Sequence, residues 1–260
     1  VAVVVAILGL GEAGGTIRAD LRQVDGVTVR GYDPIAATQP DVDDPIRAVD
    51  GADVVLSLVT AAQAHVALRS VLDALRPGQV YADLNTSGAP LKRELAALVG
   101  PTGAAFADVA LMAPVPGAGL RTPMLASGGG APAFAAAFAA LGADVELGGD
   151  APGEAAQRKL LRSVLWKGMS AVVLEALAAA RAAECEPWMR EQIVTLFALA
   201  DGELLDRMET GSRVHAERRM HEMQDVAAQL RELGVPPRVS EASVAWLRDL
   251  TLEEAAHDGH

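Results

Sequence analysis

The chain has 260 residues, 51% of them apolar and 3% aromatic, with 22 Lys and Arg against 34 Asp and Glu for a formal net charge of −12. A chain of this length forms one domain or two and buries on the order of 70–75% of its extended surface; its negative charge repels polyanions, so nucleic acid is not an expected partner. A single cysteine, Cys185, excludes an intrachain disulfide, and without a charged leader and cleavage site the expected compartment is the reducing cytoplasm.

The chain opens on an apolar run, VAVVVAIL, that breaks into Gly9-Leu10-Gly11-Glu12-Ala13-Gly14 and continues as a helical pattern; Asp33 ends the next apolar run. Strand, GxGxxG, helix and a following acid form the dinucleotide-binding fingerprint. Gly9 permits the tight turn, Gly11 lets backbone amides approach a pyrophosphate, and Gly14 allows close helix–strand packing. The phosphates are then expected at the positive helix N-terminus. Asp33 is placed to bind the adenosine ribose hydroxyls and to repel a 2′-phosphate, which predicts NAD over NADP. Val59 and Thr60, at the end of the third predicted strand, complete the expected cofactor site.

Strands are predicted at Val3–Leu8, Val27–Tyr32, Asp53–Val59, Gln79–Leu84, Ala104–Val109 and Met124–Ser127, and helices over 13–24, 62–75, 89–98 and 132–140. This alternation predicts an α/β Rossmann-type doubly wound parallel sheet over residues 1–150. From Pro152 onward no further strand pattern appears, and helices are expected near 187–201, 213–233 and 240–250. An all-α domain is therefore predicted over 151–256, followed by a disordered tail at 257–260. No apolar stretch of about 20 residues lacks charge, 169–183 being interrupted by Glu175 and Arg181, so no membrane-spanning segment is expected. The histidines are scattered and no His/Cys/Asp cluster has ligand spacing, so no metal site is expected.

The helix beginning near Pro152 is apolar around most of its circumference, yet Lys159, Arg162, Ser163, Trp166, Lys167 and Ser170 recur along one stripe. Either that stripe meets solvent or it lines a cleft.

GLGEAG, then Asp83-Leu84-Asn85-Thr86-Ser87 with Pro90, then DVALMAPVPGAGLRTPMLASGG, then Gly153 six residues before Lys159, together resemble the beta-hydroxyacid dehydrogenase superfamily. That group includes 3-hydroxyisobutyrate and 6-phosphogluconate dehydrogenases, and the present chain looks most like a phosphogluconate-dehydrogenase-like branch with its own C-terminal helical domain. The resemblance implies a substrate-carboxylate loop at Asn85, Thr86 and Ser87, with one extra residue before Pro90 and Asn85 in a serine position. It implies a second substrate loop at Pro116 and Gly117, of whose Ser-Gly-Gly only the middle glycine is kept. The catalytic lysine falls on Lys159, with Ser163 beside it and Arg162 at a substrate position; a later family lysine falls near His221.

The activity so implied is hydride transfer between a nicotinamide cofactor, NAD or else NADP, and a 3-hydroxyacid-like small molecule, with Lys159 as general acid and base. Two other functions stay open: an NAD(P)H-dependent imine reductase, which need not keep the lysine, and a non-catalytic dinucleotide-binding sensor. The apolar faces of the C-terminal helices, including Ile193, Leu196, Phe197, Val226, Leu230 and Trp246, predict a homodimer.

Overall fold

The computed structural model of the chain describes residues 3–258. It divides into two compact units, Val1–Arg162 and Ser163–His260.

In the first unit, β1 (Val3–Leu8) leads to α1 (Glu12–Leu21), β2 (Val27–Tyr32), a short α2 (Pro45–Val49), β3 (Val54–Ser57), α3 (Ala64–Val71), β4 (Val80–Asp83), α4 (Ala89–Val99), β5 (Ala105–Leu111), β6 (Met124–Ser127), α5 (Ala131–Ala140) and β7 (Val145–Gly149). The seven strands form one sheet in the order β2-β1-β3-β4-β5-β6-β7. Successive residues of a strand point to opposite faces, and here both faces are apolar. Val5 and Ile7 pack with Ile17, Leu21, Phe134 and Phe138 in one layer; Ala6 and Leu8 pack with Leu68, Val71, Leu95 and Val99 in the other. A sheet covered on both sides needs strands that are apolar throughout rather than alternating, which is why VVVAIL and VVLS read as plain apolar runs. The doubly wound α/β architecture is the one predicted.

The last two strands depart from the expected all-parallel sheet. The first five strands are parallel, but β6 pairs antiparallel with β5, and β7 runs parallel to β6. A parallel return needs a crossover of a dozen or more residues, usually helical; residues 112–123 carry only the 3-10 turn Gly119–Arg121, so the chain turns back. Strand β7 and helix α2 lie outside the predicted elements. In β7, VELGG exposes Glu146 and Leu147 at the sheet edge, leaving little apolar periodicity to detect.

Helix α6 (Glu154–Ala182) starts in the first unit, and from Ser163 onward it belongs to the second with α7 (Glu186–Ala198), α8 (Gly202–Val214), α9 (Ala216–Glu232) and α10 (Arg238–Asp258). No strand is found there among the described residues, so the all-α expectation holds. Gly211-Ser212, which precede the helix expected near 213–233, lie inside α8; Ser212 Oγ donates to the Met208 carbonyl one turn back. Gly259 and His260 of the expected tail lie outside the described residues, as does the side chain of His257.

Within the second unit α9 and α10 pack along one another. Glu175 of α6 fixes the start of α10, accepting from the amides of Val239 at 2.7 Å and Ser240 at 2.8 Å and from Ser240 Oγ at 2.7 Å. Burial pushes the Glu175 carboxyl up, but the Ser240 hydroxyl and the amides around it outweigh that and hold it below the usual range. Much of the unit's apolar surface is nevertheless uncovered: Val164 is 73% exposed, Leu174 69% and Trp246 72%, and neither α7 nor α8 has a buried residue. Helix α6 is also long and apolar enough, by length and composition alone, to cross a membrane. Its first turn is bonded into the sheet of the first unit, and Lys167 and Glu175 interrupt its apolar stretch.

Candidate functional site

The parallel strands bring their carboxyl ends to one edge of the sheet, and the strand order reverses between β1 and β3, so a crevice opens there. A cleft of about 640 Å³ occupies this position, lined by Gly9, Gly11, Asp33, Ile35, Val59, Thr60 and Val66 among others.

The three fingerprint glycines do three different things. Gly9 has φ of 95°, and a Cβ there would lie 2.4 Å from the Leu58 carbonyl oxygen. At Gly14 a Cβ would lie 2.0 Å from the Gly9 carbonyl oxygen, so the helix can approach the turn only without a side chain. Gly11 is the N-cap of α1, makes no side-chain cap, and a Cβ there would meet no protein atom. The space above it is open toward the cleft, next to the uncapped amides that begin the helix. Glu12 is exposed beside it and Ala13 packs against the core. Asp33 is buried at the end of β2: Oδ2 accepts from Leu10 N at 2.7 Å and Oδ1 from Ile35 N at 2.8 Å. The carboxylate thus clamps the glycine turn to the β2 loop, and each oxygen keeps a lone pair for a further donor. Predicted cofactor residues Gly9, Gly11, Asp33, Val59 and Thr60 therefore line one cleft, with Leu10, Glu12, Ala13 and Gly14 in the turn that shapes it.

A second, narrower crevice lies at the ends of β4 and β5, lined by Asn85, Thr86, Ser87, Lys92, Asp108 and Lys159 among others. Lys159 Nζ donates to Thr86 Oγ1 at 2.9 Å. Asn85 is buried, its Nδ2 donating to Ser57 Oγ at 3.0 Å and to Asp83 Oδ1. The Asp83 carboxylate only accepts, which fixes the amide orientation and leaves Asn85 Oδ1 buried without a hydrogen-bond partner among the described residues; Ser87 Oγ is in the same condition. Buried polar atoms without partners are rare, and both of these line a crevice that, as it stands in this structure, has no room for a water molecule.

The other predicted residues are placed as follows. Pro116 and Gly117, with φ of 85°, are exposed in the loop after β5. Arg162 donates to the Met112 carbonyl at the start of that loop. Ser163, on α6, and His221, exposed on α9, belong to the second unit. Sequence reasoning missed Lys92, which is buried between Asp83 and Asp108 at 2.7 and 3.0 Å. The signal was available: among 22 basic residues only Lys92, Lys159 and Lys167 are lysine.

The family described as Domain of unknown function (DUF1932) matches residues 180–250. No curated protein matches the chain. Among solved structures, a conserved hypothetical protein from Sinorhizobium meliloti 1021 is 28% identical, with 95% of this chain and 88% of that one covered and a TM-score of 0.65. The conserved protein MTH1747, of unknown function and described as structurally similar to 3-hydroxyacid dehydrogenases, is 28% identical over 96% and 98% of the two chains, with a TM-score of 0.63. An imine reductase from Aspergillus terreus, in complex with NADPH4 and dibenz[c,e]azepine, is 20% identical over 97% and 94%, with a TM-score of 0.80. The chain is a structural match to the 3-hydroxyacid dehydrogenase-like and imine reductase proteins, a Rossmann-type unit followed by a helical unit that carries the DUF1932 segment.

Proposed function

We propose that the chain is an NAD(P)-dependent oxidoreductase that acts on a 3-hydroxyacid-like compound or its carbonyl counterpart, with Lys159 as the acid–base group. The observation that carries this reading is the Lys159 Nζ to Thr86 Oγ1 contact at 2.9 Å beside the unpartnered Ser87 and Asn85 oxygens. A cation and three polar side chains converge at the carboxyl edge of the sheet, where open α/β folds bind their ligands.

The glycine turn fits a pyrophosphate, since Gly11 leaves room above the α1 amides and the helix dipole favours an anion there. When bound, the nicotinamide supplies hydride exchange at the substrate carbon. The protein's share is binding and proton transfer. Thr86, Ser87, Asn85 and the Gly117 backbone orient the substrate's polar end, and Lys159 Nζ gives or takes the proton at the carbinol oxygen, as general acid–base groups do for about 10²–10⁴-fold in rate. Asp33 favours NAD, because its carboxylate accepts from ribose hydroxyls and repels a 2′-phosphate.

Imine reduction is the second reading, favoured by the likeness to the Aspergillus terreus enzyme at a TM-score of 0.80. The two predict different substrates. Nicotinamide absorbance followed with a panel of hydroxyacids, semialdehydes and cyclic imines tests them: turnover of hydroxyacids supports the first reading, and turnover of imines alone replaces it with the second. We further propose a homodimer as the working form in the cytoplasm, because apolar exposure on α6, α7 and α10 is of the kind that a second copy covers.

A further inference from the structure

The buried ammonium of Lys92 has no part in the chemistry proposed above, yet it joins the two walls of the crevice that holds Lys159. Its side chain is 1% exposed. From α4 it approaches Asp83 Oδ2 at 2.7 Å and Asp108 Oδ1 at 3.0 Å, and it donates to the Asp83 carbonyl at 2.8 Å. Three oxygens around one point suit a compact ammonium better than a planar guanidinium. This accounts for a lysine at a buried position in a chain that otherwise prefers arginine.

The other oxygen of Asp108 leads to α6. Asp108 Oδ2 accepts from Gly153 N at 3.1 Å, Ala156 N at 3.0 Å and Ser127 Oγ at 3.2 Å, and Ser127 Oγ accepts in turn from Ala155 N at 3.0 Å. The first amides of a helix have no partners within it; here β5 and β6 supply them. Asp108, paired with the Lys92 ammonium, places its other oxygen at the positive end of α6. Lys159 stands on α6 three residues after Ala156, on the same face. Thr86, its partner, stands three residues after Asp83.

We propose that Lys92, Asp83, Asp108 and Ser127 form a positioning device that locks the first turn of α6 to the Thr86 loop and thereby sets the place of the Lys159 ammonium. The assignment rests on the reading of Lys159 as the acid–base group. In this device Lys92 and Ser127 act through Lys159.

With only three lysines, the 260-residue chain labelled with ¹³C,¹⁵N-lysine gives one side-chain resonance set each for Lys92, Lys159 and Lys167. Ser127→Ala, a small change in a packed position, is expected to shift the Lys159 resonance while Lys167 keeps its own. It is expected to lower kcat by about tenfold with the dinucleotide KM within about twofold, since displacement of a reacting group by about an ångström costs up to roughly 10²-fold. Lys92→Met is expected to give a larger loss of the same pattern, and if it does not fold, Ser127→Ala carries the test. An unmoved Lys159 resonance in Ser127→Ala, or kcat and dinucleotide KM impaired together, overturns the proposal. If the wild-type protein turns over none of the screened substrates, the acid–base reading falls, and the Lys159 resonance still decides the anchoring: movement supports it and no movement overturns it.

Discussion

Gly11 and Gly14 lie three residues apart and should respond to the same substitution in opposite ways. A Cβ at Gly14 falls 2.0 Å from the Gly9 carbonyl oxygen, so Gly14→Ala forces the helix off the turn; overpacking of this kind costs about 1–3 kcal/mol, visible as a lower denaturant midpoint. A Cβ at Gly11 meets no protein atom, so Gly11→Ala should leave that midpoint in place and weaken dinucleotide binding by roughly tenfold, about 1.4 kcal/mol. Fluorescence titration of both variants checks the pair, and an unchanged affinity in Gly11→Ala would remove the pyrophosphate from that turn. Asp33 combines two roles, clamping Leu10 N and Ile35 N and facing the cleft. Asp33→Ser should narrow a preference for NADH over NADPH, because it removes the charge that repels a 2′-phosphate; native preference for NADPH in the same titration would contradict the role given to the carboxylate. The turn and the acid were legible in the sequence because their spacing is set by covalent geometry. Lys92 was not, because its meaning depends on Asp83 and Asp108 meeting it from two adjacent strands.

At the scale of elements, strands such as β1 were legible as plain apolar runs bounded by turns, because both faces of the sheet are covered. The direction of β6 was not. Its sequence, MLAS, is equally apolar either way round, and what turns it back is the lack of helix in residues 112–123. The α6–α10 junction depends on one ionised group. Because the Glu175 carboxyl is held below its ordinary value of 4.5 in the folded chain, its contribution is present above that value and lost as pH falls through the folded one. Glu175→Gln should therefore lower stability near neutral pH by about 1 kcal/mol, as loss of a capping group does, and the difference from wild type should shrink in acid. Thermal melts at pH 7 and pH 3 measure it; a gap that widens in acid would assign the effect to packing instead of charge.

At the scale of the whole molecule, two compact units were expected from the change of texture near Pro152. Apolar residues such as Leu196, Phe197 and Trp246 were read from sequence as faces that a second copy covers, and in the single chain they are open. A second copy is the occupant that the composition favours, so sedimentation at micromolar concentration should give a dimer; a monomer would contradict this. The substrate was not legible, because Asn85 stands in a serine position and His221 near a lysine position of the family resemblance. The central claim concerns one amine. Lys159→Met should keep the fold and the dinucleotide affinity and lower kcat by roughly 10²-fold or more, whereas Lys167→Met, two turns farther along α6, should cost much less. Steady-state turnover of the two variants beside wild type is the most direct test: a large loss confined to Lys159→Met is the predicted result, and full turnover without Lys159 would contradict lysine-based acid–base catalysis.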